Sequence, residues 1–340
     1  MIIRCIDDMR EHTKDIFRTV VSPLSSRGML HHGRPVLMLG SCFADNIGAY
    51  LRDGLFDIEI NPFGTLYNPA SVAESLSRML FAKEFDATDI VNDGHMYHSF
   101  SLHSKHSSVD PSRVIDNANA AMWRGNRILK KKAPLIVVTF GTVYVYRLLE
   151  NKKIVANCHK FPASTFERQP LGVNDIVDIW CDVISRVKSV CPEAEFVFTV
   201  SPVRHRADGL HGNQLSKSAL LLAVDQIVSR NECAGYFPSY EIMMDDLRDY
   251  RFYSADMCHP TETAVGYIYR IFTESYCNQQ TILLADDASR LTRRLSHRPM
   301  TDDIAAHAEF HKETIRLLHE LASCHTGLDS TLDRYINSSR

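Results

Sequence analysis

Gly40-Ser41-Cys42-Phe43-Ala44-Asp45-Asn46-Ile47-Gly48 follows directly on Pro35-Val36-Leu37-Met38-Leu39. The run before the glycine is apolar without polar alternation, the pattern of a strand buried on both faces. After it, Ile47, Tyr50, Leu51 and Leu55 recur at helical spacing. A strand that ends in Gly-Ser and turns at once into a helix puts a hydroxyl at the carboxyl edge of a sheet. The free N–H groups of the helix start lie beside it and favour developing negative charge. Two readings stand at this point. Ser41 is a nucleophile, or it is an ordinary helix N-cap, for which serine is a preferred residue.

Further buried strands are predicted at 133–140, at 195–200 and at 236–241, the first two ending in Gly141-Thr142 and Ser201-Pro202. Helices are predicted over 70–81, 110–130, 173–190, 216–229 and about 263–276, and charged helices from Asp286 onwards. Phe17 to Pro23 reads as an edge strand, and 143–149 with 153–155 as a hairpin. Strands alternating with helices imply an α/β domain with a mostly parallel sheet and helices on both faces. Sites in such sheets form at the carboxyl ends of the strands. Residues 1–16 read as a polar leader, 17–280 as the α/β domain and 281–340 as a helical C-terminal extension, through which a homodimer is an open possibility.

The 340 residues carry 45% hydrophobic and 23% charged side chains and a formal net charge of -3. These values fit a soluble globule and leave no basic footprint for nucleic acid. No apolar run reaches the ~18–20 residues of a membrane span. The first residues hold no apolar signal core, and nine cysteines are scattered without a CxxC pair. Both point to reduced thiols in a cytoplasm.

A serine nucleophile needs a base, and the base an orienting partner. Asp256 and His259 stand three apart just before the last core helix, with Pro260 near its start. A D-x-x-H turn can bring the carboxylate to Nδ1 of its own histidine and leave Nε2 free for Ser41. The plainer alternative is that Asp256 or Thr261 caps the helix and His259 is a local partner. Arg204 and His205, after a strand end, are candidates for an anionic substrate group, as is Lys160, though each can pair with local carboxylates instead. His159 is an alternative base, and Cys42 an alternative nucleophile. His95, His98, His103 and His106 fall in a polar stretch at spacings a metal site could use, without a recognised ligand pattern. That stretch equally suits a surface loop or lid. No cofactor and no metal are expected.

Gly40-Ser41-Cys42-Phe43-Ala44 resembles the signature of the GSCFA domain family, which belongs to the SGNH (GDSL-like) hydrolase superfamily. Asn61-Pro62-Phe63-Gly64, Tyr67-Asn68-Pro69, Asn157-Cys158-His159-Lys160, Val200 to His205, Ser216-Lys217, Tyr236 to Glu241, Leu247 to Tyr253 and Asp256 to Pro260 resemble the same family. The resemblance runs from about Phe17 to Phe272 and implies a flavodoxin-like three-layer α/β/α sandwich. It also implies ester or acyl chemistry without metal, on a small-molecule or carbohydrate acyl ester. Ser41 matches the nucleophile, His259 the base and Asp256 the residue orienting it. The superfamily's oxyanion donors are the serine's own N–H, a glycine after the second strand and an asparagine after the third. Gly64 matches the glycine. Gly141-Thr142-Val143 stands where Gly-x-Asn is expected, so Thr142 or Asn157 would have to replace the asparagine. The resemblance leaves hydrolysis, acyl transfer and a non-catalytic binding module with a defective oxyanion hole all open.

Overall fold

The computed structural model describes residues 18–295, 304–325 and 328–338. Its centre is a five-stranded, wholly parallel sheet of β1 (Val36–Gly40), β2 (Ile58–Ile60), β5 (Leu135–Phe140), β9 (Glu195–Val200) and β10 (Ala234–Tyr236). The spatial order is β10-β9-β5-β1-β2. Counted by core strand, this is the doubly wound order 2-1-3-4-5, whose switch point lies between β1 and its neighbour β5. The register there pairs Gly40 with Thr139, so Ser41 leaves β1 at the level of Phe140, one residue before Gly141, at the switch point.

Alternation along the strands explains the layers. Leu37, Leu39, Ile136, Val138, Phe196 and Phe198 face one core, closed by α2 (Pro69–Leu80), α3 (Pro111–Leu129), α4 (Val173–Val190) and α5 (Gly209–Arg230). Val36, Met38, Leu135, Val137 and Val197 face the other, closed by α1 (Cys42–Asp53) and α6 (Glu262–Tyr276). Both faces of β1 and β5 are therefore dry, and this is why their sequences lack polar alternation. The molecule is an α/β/α sandwich.

Two helices of the far end, α8 (Ile304–Ser323) and α9 (Asp329–Ser338), pack with α7 (Gln279–Leu295) around Leu55, Ala288, Leu318, Ala322, Leu328 and Leu332. Asp57, just before β2, ties this layer down by accepting from both Lys131 and Arg334. Between the core strands lie two small additions. β3 (Val91–Asn92) and β4 (Tyr97–His98) form a short hairpin, and β6 (Tyr144–Leu148), β7 (Ile154–Val155) and β8 (Phe166–Pro170) an antiparallel three-stranded sheet.

Four sequence expectations change. Residues 18–23 form no strand; Pro23 lacks a donor, and the chain beyond it bonds to the end of α6, through Ser26 N–H to Ser275 O at 2.9 Å. The fourth strand ends at Tyr236, because Pro238 cannot extend the ladder and Ser239 begins a helical turn. β2 and β8, half-buried and short, carry no continuous apolar run and are absent from the sequence reading. α5 begins at Gly209, seven residues before the predicted start, since Gly209, Gly212 and Asn213 weaken its pattern. The predicted leader at 1–16 lies outside the described residues.

Candidate active site

The turn after β1 is held from both sides. Gly40 adopts φ +129°, and a Cβ there would stand 2.0 Å from the Thr139 carbonyl oxygen, so only glycine fits. Its N–H donates to Asn61 Oδ1 at 2.8 Å. Asn61 Nδ2 in turn donates to Asp45 Oδ1 at 2.9 Å, and Thr65 Oγ1 to Asp45 Oδ2 at 3.0 Å. Asp45 sits in the first turn of α1, where the helix dipole favours a carboxylate. This network staples the Ser41 turn to the Asn61–Tyr67 loop.

Ser41 is extended (φ -69°, ψ 171°), 1% exposed, and is the N-cap of α1, its Oγ accepting from the Phe43 N–H at 3.3 Å. The cap reading of the sequence therefore holds in geometry, and the same hydroxyl stands at the carboxyl end of β1. Cys42 beside it has its thiol pushed up, by burial first and then by Asp45. A thiol kept protonated in this way is a poor nucleophile.

Asp256 and His259 are brought together by their own turn. Asp256 Oδ1 accepts from the N–H groups of Cys258 (2.9 Å) and His259 (3.0 Å), and Oδ2 lies 2.6 Å from His259 Nδ1. The His259 N–H, then its imidazole, then the Cys258 N–H hold the Asp256 carboxyl well below the usual carboxylate range. Neither Asp256 nor Pro260 starts the helix: Thr261 is the N-cap of α6 and accepts from Ala264 N–H at 3.3 Å, so Pro260 precedes the cap. The turn hangs on the exit of β9, where Arg204 N–H donates to Cys258 O at 3.1 Å and Arg206 Nη1 to Asp256 O at 3.4 Å.

Between these two pieces lies the exit of β5. The N–H groups of Gly141 and Thr142 both donate to the Tyr67 carbonyl, at 2.8 and 3.1 Å. Thr142 Oγ1 is 3.2 Å from Ser216 Oγ and 3.4 Å from Asp208 Oδ2. Asp208 is also paired with Arg168, whose guanidinium lies over the Tyr144 ring at 3.7 Å. Lys217, 1% exposed, donates from Nζ to Gly141 O and to Ser201 O, both at 2.7 Å, and so bridges the ends of β5 and β9. Burial, then Arg204, push its ammonium down to about 7. The His205 ring meets Tyr67 edge-on at 5.7 Å, and the His205 backbone N–H donates to Asn213 Oδ1 at 2.9 Å. Burial first, then Lys217, His259 and Arg168, lower its imidazole to about 4. The Arg204 guanidinium touches Met244 Sδ at 3.9 Å, and its buried Nε has no hydrogen-bond partner among the described residues.

Two sequence candidates stand in turns of their own. Gly64 (φ +83°) donates its N–H to Asn61 O at 2.7 Å, and His103 covers its Cα. Asn157 packs its N–H on Phe100 O at 3.3 Å and accepts the His159 N–H on Oδ1 at 2.8 Å. His159 spends Nε2 on Ser99 O at 2.8 Å and stacks on His98 at 4.3 Å. The four clustered histidines diverge. His98 lies between Ser107 and Asp93, His103 accepts from Lys105 N–H, His106 bonds to Pro62 O and His95 is exposed. No group of three or more metal-ligating side chains forms among the described residues.

The sequence reading gave no role to Asp45, Thr65 or Asp208, and quoted Asn61, Tyr67 and Lys217 only within stretches that resemble the family. A further signal was a lysine, Lys217, set in the strongly apolar run of α5.

The structure thus defines an α/β protein with a capped serine at the switch point after β1 and an Asp–His pair on a turn tied to the exit of β9. The chain belongs to the GSCFA family, whose model matches residues 35–272. No curated protein matches it. Among solved structures it is similar to a carbohydrate esterase family 2 enzyme with a carbohydrate-binding domain from Corynascus thermopiles (Myceliophthora fergusii). Identity is 11% and the TM-score 0.36, over 75% of this chain and 67% of that one.

Proposed function

We propose that the chain is a serine-dependent acyl-ester hydrolase of the SGNH (GDSL-like) type, with Ser41 as nucleophile, His259 as base and Asp256 orienting it. The observation that carries this reading is the 2.6 Å contact of Asp256 Oδ2 with His259 Nδ1. The contact fixes the tautomer and leaves Nε2 as the free proton acceptor. In the proposed reaction Ser41 Oγ attacks the ester carbonyl while its proton passes to Nε2 of His259. The tetrahedral adduct then expels the alcohol, which takes that proton, and water releases the acyl group by the same steps in reverse order. Ser41 is nearly covered, so the reading favours a short acyl group, with an acylated carbohydrate as the first substrate to test. An acceptor hydroxyl in place of water would make the same site an acyltransferase.

One observation favours a second reading, a non-catalytic binding module. The three backbone donors the chemistry would use are already committed: Ser41 N–H to Thr139 O, Gly64 N–H to Asn61 O and Thr142 N–H to Tyr67 O. A fluorophosphonate probe with peptide mapping separates the two. The hydrolase reading expects label on Ser41, none on the Ser41→Ala variant and at least tenfold slower labelling of His259→Ala. An unlabelled wild type, or equal labelling of Ser41→Ala, removes it.

A further inference from the structure

We infer that the His205 imidazole is the side-chain oxyanion donor of this site, taking the place of the absent asparagine; this rests on Ser41 being the nucleophile. The observations are positional. Gly141 follows the strand that pairs with β1, and Gly40 and Thr139 are register partners. The ring of His205 therefore stands at the same switch point as Ser41: a Cβ on Gly141 would meet its Nε2 at 3.3 Å. The sequence gap at Thr142-Val143 is on that same turn, and Thr142 spends its hydroxyl on Ser216 and Asp208. By contrast, neither ring nitrogen of His205 has a hydrogen-bond partner among the described residues. Its backbone is fixed by Asn213, and Tyr67 packs edge-on against the ring.

The electrostatics suit a donor and not a base. A general base works best with a pKa near the operating pH. The imidazole of His205 is lowered to about 4 by burial first, then by Lys217, His259 and Arg168. It is neutral at pH 7 and keeps one N–H. It also has no carboxylate partner, whereas His259 has Asp256. A neutral imidazole that donates to a developing oxyanion adds no charge to the resting site, so it does not compete with His259 for the serine proton. As the carbonyl π pair moves onto oxygen, the Nε2–H hydrogen bond becomes charge-assisted, and such bonds are about twice as strong as neutral ones. That gain exists in the transition state and not in the ground state, which is the condition for raising kcat.

The test uses the full chain and four proteins: wild type, His205→Ala, His205→Gln and His205→Asn. Circular dichroism and thermal melts establish folding. Turnover of 4-nitrophenyl acetate gives kcat and KM, and a fluorophosphonate gives the labelling rate of Ser41. Loss of a donor predicts a kcat reduced about 10²–10³-fold in His205→Ala with KM changed only a few-fold. Glutamine, whose amide nitrogen reaches the position of Nε2, restores at least tenfold; asparagine, which is shorter, does not. The pH limb of His259 persists in every variant. A folded His205→Ala that keeps kcat within threefold of wild type overturns the proposal. So does loss of the His259 limb, which would make His205 the base. If alanine does not fold, Gln and Asn variants of equal activity overturn it. Wild type that neither turns over nor labels on Ser41 sinks the hydrolase reading itself, and that result is seen before any His205 variant is examined.

Discussion

Gly40→Ala should be among the most damaging single-methyl additions in this protein. The new Cβ would lie 2.0 Å from Thr139 O and 2.8 Å from Thr139 C, where ordinary carbon contacts begin above 3 Å. Both atoms are backbone of a central strand, so no rotamer change relieves them. Relief requires parting the ends of β1 and β5, which breaks the Ser41 N–H to Thr139 O bond (3.1 Å) and disturbs the Gly40 N–H to Asn61 Oδ1 bond (2.8 Å). Leaving such buried groups unpaired costs about 1–3 kcal/mol each. Holding alanine at φ +129° adds about 1–3 kcal/mol. The sum, roughly 3–9 kcal/mol, is a large part of the ~5–15 kcal/mol that stabilises an ordinary domain. Gly125→Ala is the control. Its Cβ would approach Met79 Sδ almost as closely, at 2.1 Å, but that atom belongs to a flexible side chain. The helix meanwhile gains about 1 kcal/mol of propensity, so the net change should stay within about 1.5 kcal/mol. Urea unfolding followed by the fluorescence of buried Trp180 measures both variants. A Gly40→Ala protein within 1 kcal/mol of wild type, or a Gly125→Ala protein damaged as much, would refute the reasoning that backbone contact decides the cost.

Three further expectations follow from burial. Lys217 has its pKa lowered in the fold, from 10.5 to about 7, so the unfolded chain takes a proton first as pH falls. Wild type should therefore lose stability between pH ~10 and ~7, by about 1.4 kcal/mol per unit in mid-window, and Lys217→Met should flatten that slope in urea titrations at pH 7, 8 and 9. His106 is lowered from 6.5 to about 4, by burial and then by Lys105, while bonded to Pro62 O. Its contribution is complete above pH ~6.5 and lost towards pH 4, about 2 kcal/mol by pH 5, and a His106→Gln variant should show a shallower acid slope over that range. Leu318 is 0% exposed among the C-terminal helices and Leu283 is 56% exposed; chemical denaturation should find Leu318→Ala worse by about 2–5 kcal/mol and Leu283→Ala changed by less than about 0.5.

What the sequence reveals of the fold tracks how fully each strand is buried. β1, β5 and β9 lie in the middle of the sheet with both faces dry, so their residues read as unbroken apolar runs. β2 and β10 are the edges, half-buried and three residues long, and their patterns are correspondingly faint. The fourth strand was placed two residues late at its start because Tyr236-Phe237 looks strand-like beside Pro238, although the ladder ends at Tyr236. Two helices also carry caps that the sequence reading did not use: Asn68 before Pro69 and Asp110 before Pro111 both accept from the first turn.

The site was legible where its chemistry is local and illegible where it is assembled. The Asp256–His259 pair is three residues apart, and the turn that joins them is written in those residues alone. The place of Ser41, between a buried strand and a helix start, follows from its neighbours in sequence, which left cap and nucleophile both open. The other half is made by segments far apart in the chain, as when Tyr67 O collects the N–H groups of Gly141 and Thr142. No spacing rule reports such a contact. This also changes the meaning of the missing asparagine. In sequence, Thr142 and Asn157 were the candidate substitutes, Thr142 because it stands next to the gap. In space, Thr142 is turned towards Ser216 and Asp208, while His205 lies over Gly141 with both ring nitrogens unspent. A buried hydroxyl already hydrogen-bonded twice gains little by donating again, whereas an imidazole without a partner loses nothing by doing so. On the hydrolase reading, the role therefore passes from the residue adjacent in sequence to the residue adjacent in structure.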